Sequence, residues 1–159
     1  MMNKERLTYS TIGNKDLLDR PLTAVLASRT INPTSVMPAL DWATEKAQNP
    51  NVTIISGFQS TIEKKILRYL LDGKCGIVLV LARSMYKSIP DEYQQPIADG
   101  RMLLLSLTDY SQTVRSTALR RNHFIADRAE QLLFISLNEK SSLMALYESY
   151  HEQKNIELL

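Results

Sequence analysis

The chain has 159 residues, 44% hydrophobic and 23% charged, proportions that suit one globular domain and exclude a disordered or fibrous class. With 19 basic residues against 17 acidic ones, the net charge of +2 does not by itself announce a nucleic-acid partner, so any electrostatic argument has to be local. The single cysteine, Cys75, excludes an internal disulfide, and with only His123 and His151 beside it no zinc ligand set can be assembled.

Residues 1–20 read as a lead-in without a clear element, and 21–159 as a single domain. The opening Met1-Met2-Asn3-Lys4-Glu5-Arg6 lacks a signal peptide's apolar segment, and the longest apolar stretch, Gly76 to Ala82, is far below the ~18 residues that span a bilayer. A cytoplasmic location without membrane contact is the expectation. The first apolar run, Leu22 to Ala27, predicts a strand. After Ser28-Arg29-Thr30-Ile31, Asn32 can cap a helix with Pro33 at its favoured first position and Val36, Leu40, Ala43 and Ala47 on one face. Val52 to Ile55 predicts a second strand, which passes through Ser56-Gly57-Phe58-Gln59 into a helix striped by Ile62, Ile66, Leu67, Leu70 and Leu71 and stopped at Gly73.

Gly76 to Leu81 is apolar without alternation, as a central strand covered on both faces would be. A polar stretch holding Pro90, Pro96 and Gly100 precedes a fourth strand at Arg101–Ser106. Residues 111–130 then read as a helix, Gln131–Ser136 as a fifth strand, and the stretch from about Ser141 as a last helix with Leu143, Leu146, Tyr147 and Tyr150 on one face. Strands alternating with helices predict an α/β, Rossmann-like three-layer sandwich built on a mostly parallel sheet of about five strands.

In such sheets ligands gather beyond the carboxyl ends of the strands, where helix amino termini present N–H groups to anions. Three segments qualify: Ser28-Arg29, Ser56 to Glu63, and Glu139-Lys140-Ser141-Ser142. Gly57 either lets a phosphate approach the backbone or serves a left-handed turn. Ser60 and Glu63 have capping-box spacing, which favours a role in the helix over ligand contact, while Ser56 and Gln59 remain as hydrogen-bonding candidates. Arg29 could hold a phosphate through two parallel bonds or pair with a nearby carboxylate. Arg115, Arg120, Arg121 and Arg128 face one intervening acid, Asp127, and helical spacing lets only part of that set converge. Cys75 reads as a buried hydrophobe and Trp42 as packing. His123 has no nucleophile or carboxylate partner that the sequence can place beside it, so no catalytic residue is assigned.

These segments resemble the Rossmann-like domain of the DNA-processing protein A (DprA/Smf) family, within the wider SLOG group of nucleotide-binding folds. Ala27-Ser28-Arg29 matches the family's Gly-Ser-Arg. Ser56-Gly57-Phe58-Gln59-Ser60-Thr61-Ile62-Glu63 aligns without gaps to its hallmark Ser-Gly-Leu-Ala-Arg-Gly-Ile-Asp. Arg121-Asn122-His123-Phe124-Ile125-Ala126 matches Arg-Asn-Arg-Ile-Ile-Ala, and Lys140-Ser141-Ser142-Leu143 is similar to Ser-Gly-Ser-Leu. Order and spacing agree over roughly residues 20 to 152. The resemblance implies ssDNA binding or, as in related proteins, a nucleotide-like ligand, with a homo-oligomer left open.

Three departures weaken the implied cationic surface: Ser60 replaces the hallmark's arginine, Thr61 its second glycine, and His123 the second arginine of Arg-Asn-Arg. A chain ending soon after its last helix also looks like a reduced relative. The Pro-Gly-Gly-x-Gly-Thr-x-x-Glu motif of the superfamily's phosphoribohydrolases is not found. The sequence therefore points to a noncatalytic phosphate-binding module without cofactor or metal, its ligand held by Ser28, Arg29, Ser56, Gly57, Gln59, Arg121, Asn122 and Ser142. A sensor of a small nucleotide-derived ligand is the chief alternative. A nucleotide-cleaving enzyme with Glu63 as its carboxylate is the third reading.

Overall fold

The structure, a computed structural model, describes residues 9–159. In chain order its elements are β1 (Ser10–Gly13), β2 (Leu22–Ala27), α1 (Val36–Ala47), β3 (Thr53–Ser56), α2 (Thr61–Leu71), β4 (Gly76–Leu81), α3 (Asp91–Ala98), β5 (Met102–Ser106), α4 (Arg115–Arg128), β6 (Gln131–Ile135), α5 (Leu143–Tyr150) and β7 (Asn155–Leu158). The strands form one seven-stranded sheet in the order β1-β5-β4-β3-β2-β6-β7. Every neighbouring pair is parallel except β1, which runs antiparallel on β5.

The five expected strands are present, and the two further ones sit at the sheet edges. Both have only four residues and are mostly exposed or half-buried, so neither carries the apolar run that marks a covered strand. Within the segment read as a lead-in, β1 is followed by a 3-10 turn at Lys15–Asp19 whose Leu17 is fully buried. The described part of that segment is thus packed into the fold, and residues 1–8 lie outside the described residues. The polar stretch before the fourth strand holds α3, with Pro96 inside it. A proline in a helix interior forfeits a backbone bond and argues against a helix at the sequence level.

Alternation along the strands divides the core into two layers. Val25, Ile54, Ile77, Leu79, Leu104 and Leu133 point toward α1 and α2 and pack with Trp42, Ala43, Ile62 and Ile66. On the other face Ala24, Leu26, Ile55, Val78, Val80 and Phe134 meet Ile125 and Ala126 of α4 and Leu143 and Leu146 of α5. The sheet is therefore covered on both sides, as its apolar strands require. Cys75 is buried in the first layer, and burial pushes its thiol up to about 11.

What positions a site is the order of the central strands. From β2 the chain steps outward through β3, β4 and β5 on one side, then returns to place β6 on the other. Loops leaving β2 and β6 therefore diverge at their carboxyl ends, the switch point where open α/β sheets bind ligands.

Candidate phosphate-binding site

At the switch point the loops are tied together rather than left apart. Ser28 is buried, and its hydroxyl lies 2.8 Å from the Ser136 carbonyl oxygen and 2.9 Å from Ser141 Oγ. Having one proton, it donates to the carbonyl and accepts from Ser141. Its N–H donates to the Ile135 carbonyl at 3.1 Å, so neither donor of Ser28 is left for a ligand. Ser136 adopts φ 55°, in the left-handed region, and its Oγ accepts from Asn32 N–H at 2.8 Å. The expected helix cap at Asn32 is made through a preceding 3-10 turn, Pro33–Ser35, where Asn32 Oδ1 accepts from Thr34 N–H.

Beyond β3 the capping box is formed as its spacing predicts. Ser60 Oγ accepts from Glu63 N–H at 3.3 Å, and Glu63 Oε1 accepts from Ser60 N–H at 3.2 Å and Gln59 N–H at 2.9 Å. The second oxygen does something the motif does not require: Glu63 Oε2 accepts from Ala27 N–H at 2.8 Å, across to the end of β2. One buried carboxylate thus fixes the β3–α2 loop against the β2 loop. With three backbone donors aimed at it, Glu63 is an anchor for this end of the sheet rather than a free general base.

Gly57 is not in the left-handed region; that conformation falls on the next residue, Phe58, at φ 51°. Glycine is needed at 57 for space. A Cβ there would stand 2.8 Å from Arg121 Nε, 2.9 Å from its Cδ and 3.0 Å from its Cζ. The Arg121 side chain, reaching from α4, therefore lies against the bare backbone of the β3 loop, and its Nε donates to Asn122 Oδ1 at 3.2 Å. Burial lowers the Arg121 pKa while the nearby Glu63 charge opposes that shift. An arginine remains charged under such a shift, so the site holds a partly desolvated cation. Among the described residues the only ion pair is His151 with Glu152, so neither Arg121 nor Arg29 is salt-bridged. A half-buried guanidinium that feels the Glu63 charge but has no carboxylate within salt-bridge distance among the described residues is suited to an incoming anion with paired oxygens.

The other sequence-derived residues divide clearly. Ser56 is fully buried and accepts from Phe58 N–H at 3.1 Å, which shapes the loop. Gln59 is exposed, with its amide 3.3 Å from the Gly57 carbonyl, while Arg29 and Ser142 are both exposed. Ser142 makes no capping bond; its neighbour Ser141 holds the start of α5 by accepting from Leu143 N–H. Arg115 and Arg120 are exposed on the half of α4 nearer the strand carboxyl ends. Arg128, at the far end of that helix, lies 5.3 Å over the Phe124 ring. His123 is exposed, its ring 6.3 Å from that of Tyr150 on α5.

Sequence reasoning singled out the segment that holds Ser141 but not its bond to Ser28, and it passed over Ser136, because unlike Gly57 a serine at the end of a strand carries no distinguishing signal. It also missed a concavity of about 560 Å³ beside the switch point, lined by Asn32, Ser136, Asn138, Met144, Tyr147 and Leu159 among others. Ser28, Arg29, Ser56, Gly57 and Ser142, expected around one concavity, do not line it; this hollow lies one step toward β7. No cluster of three or more metal-ligating side chains occurs among the described residues, and none of the described helices is long and apolar enough to cross a membrane.

Comparison with known proteins places this geometry. The family model described as DNA recombination-mediator protein A matches residues 3–159. No curated protein is significantly similar to the chain in sequence. Among solved structures, DNA processing protein A from Helicobacter pylori, which has a single-stranded DNA binding mode, superposes with a TM-score of 0.75 at 19% identity over 98% of this chain and 74% of its own. DNA processing protein A from Streptococcus pneumoniae gives 0.74 at 19% identity, covering 94% of this chain, which spans only 54% of that longer protein. The molybdenum cofactor binding protein from Rippkaea orientalis is more distant, with a TM-score of 0.59 at 11% identity over 87% of this chain and 76% of its own.

Proposed function

Because the chain belongs to the DNA recombination-mediator protein A family, we propose that it is a noncatalytic binding protein that holds ssDNA phosphates across the carboxyl ends of β2, β3 and β6. One observation carries this reading: the Arg121 guanidinium, half-buried against Gly57 and without a salt bridge among the described residues. Arg29 supplies a second, exposed cation from the β2 loop. Gln59, Asn122 and Ser142 border the same end of the sheet, and Ser28 and Ser56 act by shaping the loops. The single-stranded DNA binding mode of the Helicobacter pylori relative supports the choice of polymer. A cytoplasmic location is part of this reading.

A nucleotide-derived ligand is the second reading, and the concavity between β6, α5 and β7 favours it, since about 560 Å³ falls within the range of small-molecule pockets. Oligonucleotide binding measured at two salt concentrations, beside a thermal-shift panel of mononucleotides, separates the two. The proposal expects salt-dependent ssDNA affinity that falls with Arg121→Ala. Stabilisation by a mononucleotide with no oligonucleotide affinity overturns it.

A further inference from the structure

We propose that Tyr110, together with the Arg83 guanidinium, forms a base-stacking subsite for ssDNA beside the phosphate site; this rests on the ssDNA reading above. Strand order places it: β4 and β5 follow β3 in the sheet, and at about 4.8 Å per strand the loop after β5 lies on the order of 10 Å from Gly57. A strand held at Arg121 and running along the carboxyl edge therefore passes these loops next.

Tyr110 is 57% exposed, and a lone exposed aromatic is by itself unremarkable. Its backbone sets it apart. The Tyr110 carbonyl accepts from Ser84 N–H at 2.6 Å, and its own N–H donates to Thr108 Oγ1 at 3.1 Å. Ser106, buried at the end of β5, donates its hydroxyl to the Arg83 carbonyl, so the two loops are joined a second time. Arg83 lies over the Tyr86 ring, 5.6 Å from its centre, and has no salt bridge among the described residues. The result is a Tyr110 backbone tied to the loop after β4, presenting an open ring, while the Arg83 guanidinium of that same loop is seated over Tyr86. Bases stack on tyrosine rings and guanidinium planes, and a platform ordered in advance lowers the ordering cost of binding. Asp109, exposed beside Tyr110, disfavours a phosphate at this point and leaves the base as the occupant.

The test measures oligonucleotide affinity and its salt dependence for the intact chain. Tyr110→Ala and Tyr110→Gln are each expected to weaken binding by roughly 5- to 100-fold, with the log–log salt slope unchanged, while Tyr110→Phe binds as wild type does. An oligonucleotide with abasic residues throughout is expected to bind wild type and Tyr110→Ala equally. Thermal midpoints of the three variants, near wild type for an exposed ring, verify the fold. Wild-type affinity in Tyr110→Ala and Tyr110→Gln overturns the subsite while leaving the phosphate site standing, provided Arg121→Ala still weakens binding. A slope flattened by Tyr110→Ala also overturns it, since stacking neutralises no phosphate. If wild type binds no oligonucleotide, the subsite falls together with the reading it rests on.

Discussion

Arg121 occupies the space that a side chain on Gly57 would need, its Nε only 2.8 Å from the position of a Cβ. Because Gly57 is outside the left-handed region, alanine is compatible with the backbone there, and the cost falls on the arginine, which must withdraw. Gly57→Ala should therefore reproduce much of the binding loss of Arg121→Ala while shifting stability by no more than about 1–2 kcal/mol. Oligonucleotide titration and a thermal melt of the same sample measure the two effects. Binding unchanged from wild type would show that the guanidinium position is irrelevant to the ligand.

Glu63 concentrates more structural consequence than any other residue at this end of the sheet. Removing its carboxylate strips acceptors from the N–H groups of Ala27, Gln59 and Ser60. Leaving the buried Ala27 N–H unpaired costs about 1–3 kcal/mol and loss of the part-buried cap about 1 kcal/mol more, so Glu63→Ala should lose about 3 kcal/mol in denaturant unfolding. The thermal midpoint should fall by roughly 6–12 °C, at 2–4 °C per kcal/mol for a chain of this size. Glu63→Asp keeps the charge on a shorter arm and should fall between. A Glu63→Ala protein as stable as wild type would rule out the anchoring role.

Cys75 offers a prediction in pH. The folded thiol keeps its proton up to about 11, against 9.0 for an ordinary thiol, because burial disfavours the thiolate. Between those values the native state binds the proton and the unfolded chain releases it. This contribution to stability is thus fully present below pH 9 and is lost as pH rises toward 11, by about 3 kcal/mol in all. Urea unfolding of wild type and Cys75→Ala from pH 8 to 11 should converge by that amount. Iodoacetamide should leave the native thiol unmodified at pH 8 and react once urea unfolds the chain.

The parts of this molecule that could be read from sequence share one physical property, which is that their signal is local. Gly76 to Leu81 is apolar at every position, and Ser60 with Glu63 has the spacing of a cap, so both declare themselves within a few residues. Edge strands do not, since β1 takes its register from β5, some ninety residues away, and carries little burial of its own. The site shows the same division. Arg121 and Gly57 could each be singled out, but the reason glycine is required at 57 is the arginine itself, a contact between α4 and the β3 loop that no spacing encodes. Ser28 is legible as a residue of the strand end, but the partners that engage its hydroxyl lie more than a hundred residues downstream, where no local signal points to them.

The departures from the family pattern at Ser60 and His123 occupy unlike places, and this separates their expected effects. Ser60 stands at the amino end of α2, next to Gln59 and the Gly57 loop, so a cation installed there would join Arg121 and Arg29 at the carboxyl edge. Its hydroxyl, however, accepts the Glu63 N–H, and a substitution that loses this cap costs about 1 kcal/mol. His123 is exposed on α4 with its ring toward Tyr150, on the α5 side of the helix. Ser60→Arg should therefore steepen the log–log salt slope of oligonucleotide binding by roughly 0.7, the increment for one further phosphate neutralised on a single strand, while lowering the thermal midpoint by a few degrees. His123→Arg should leave slope and midpoint close to wild type. Titrations of both variants across a range of salt concentrations decide the matter. A slope steepened by His123→Arg and not by Ser60→Arg would move the path of the strand from the Gly57 loop to the face between α4 and α5.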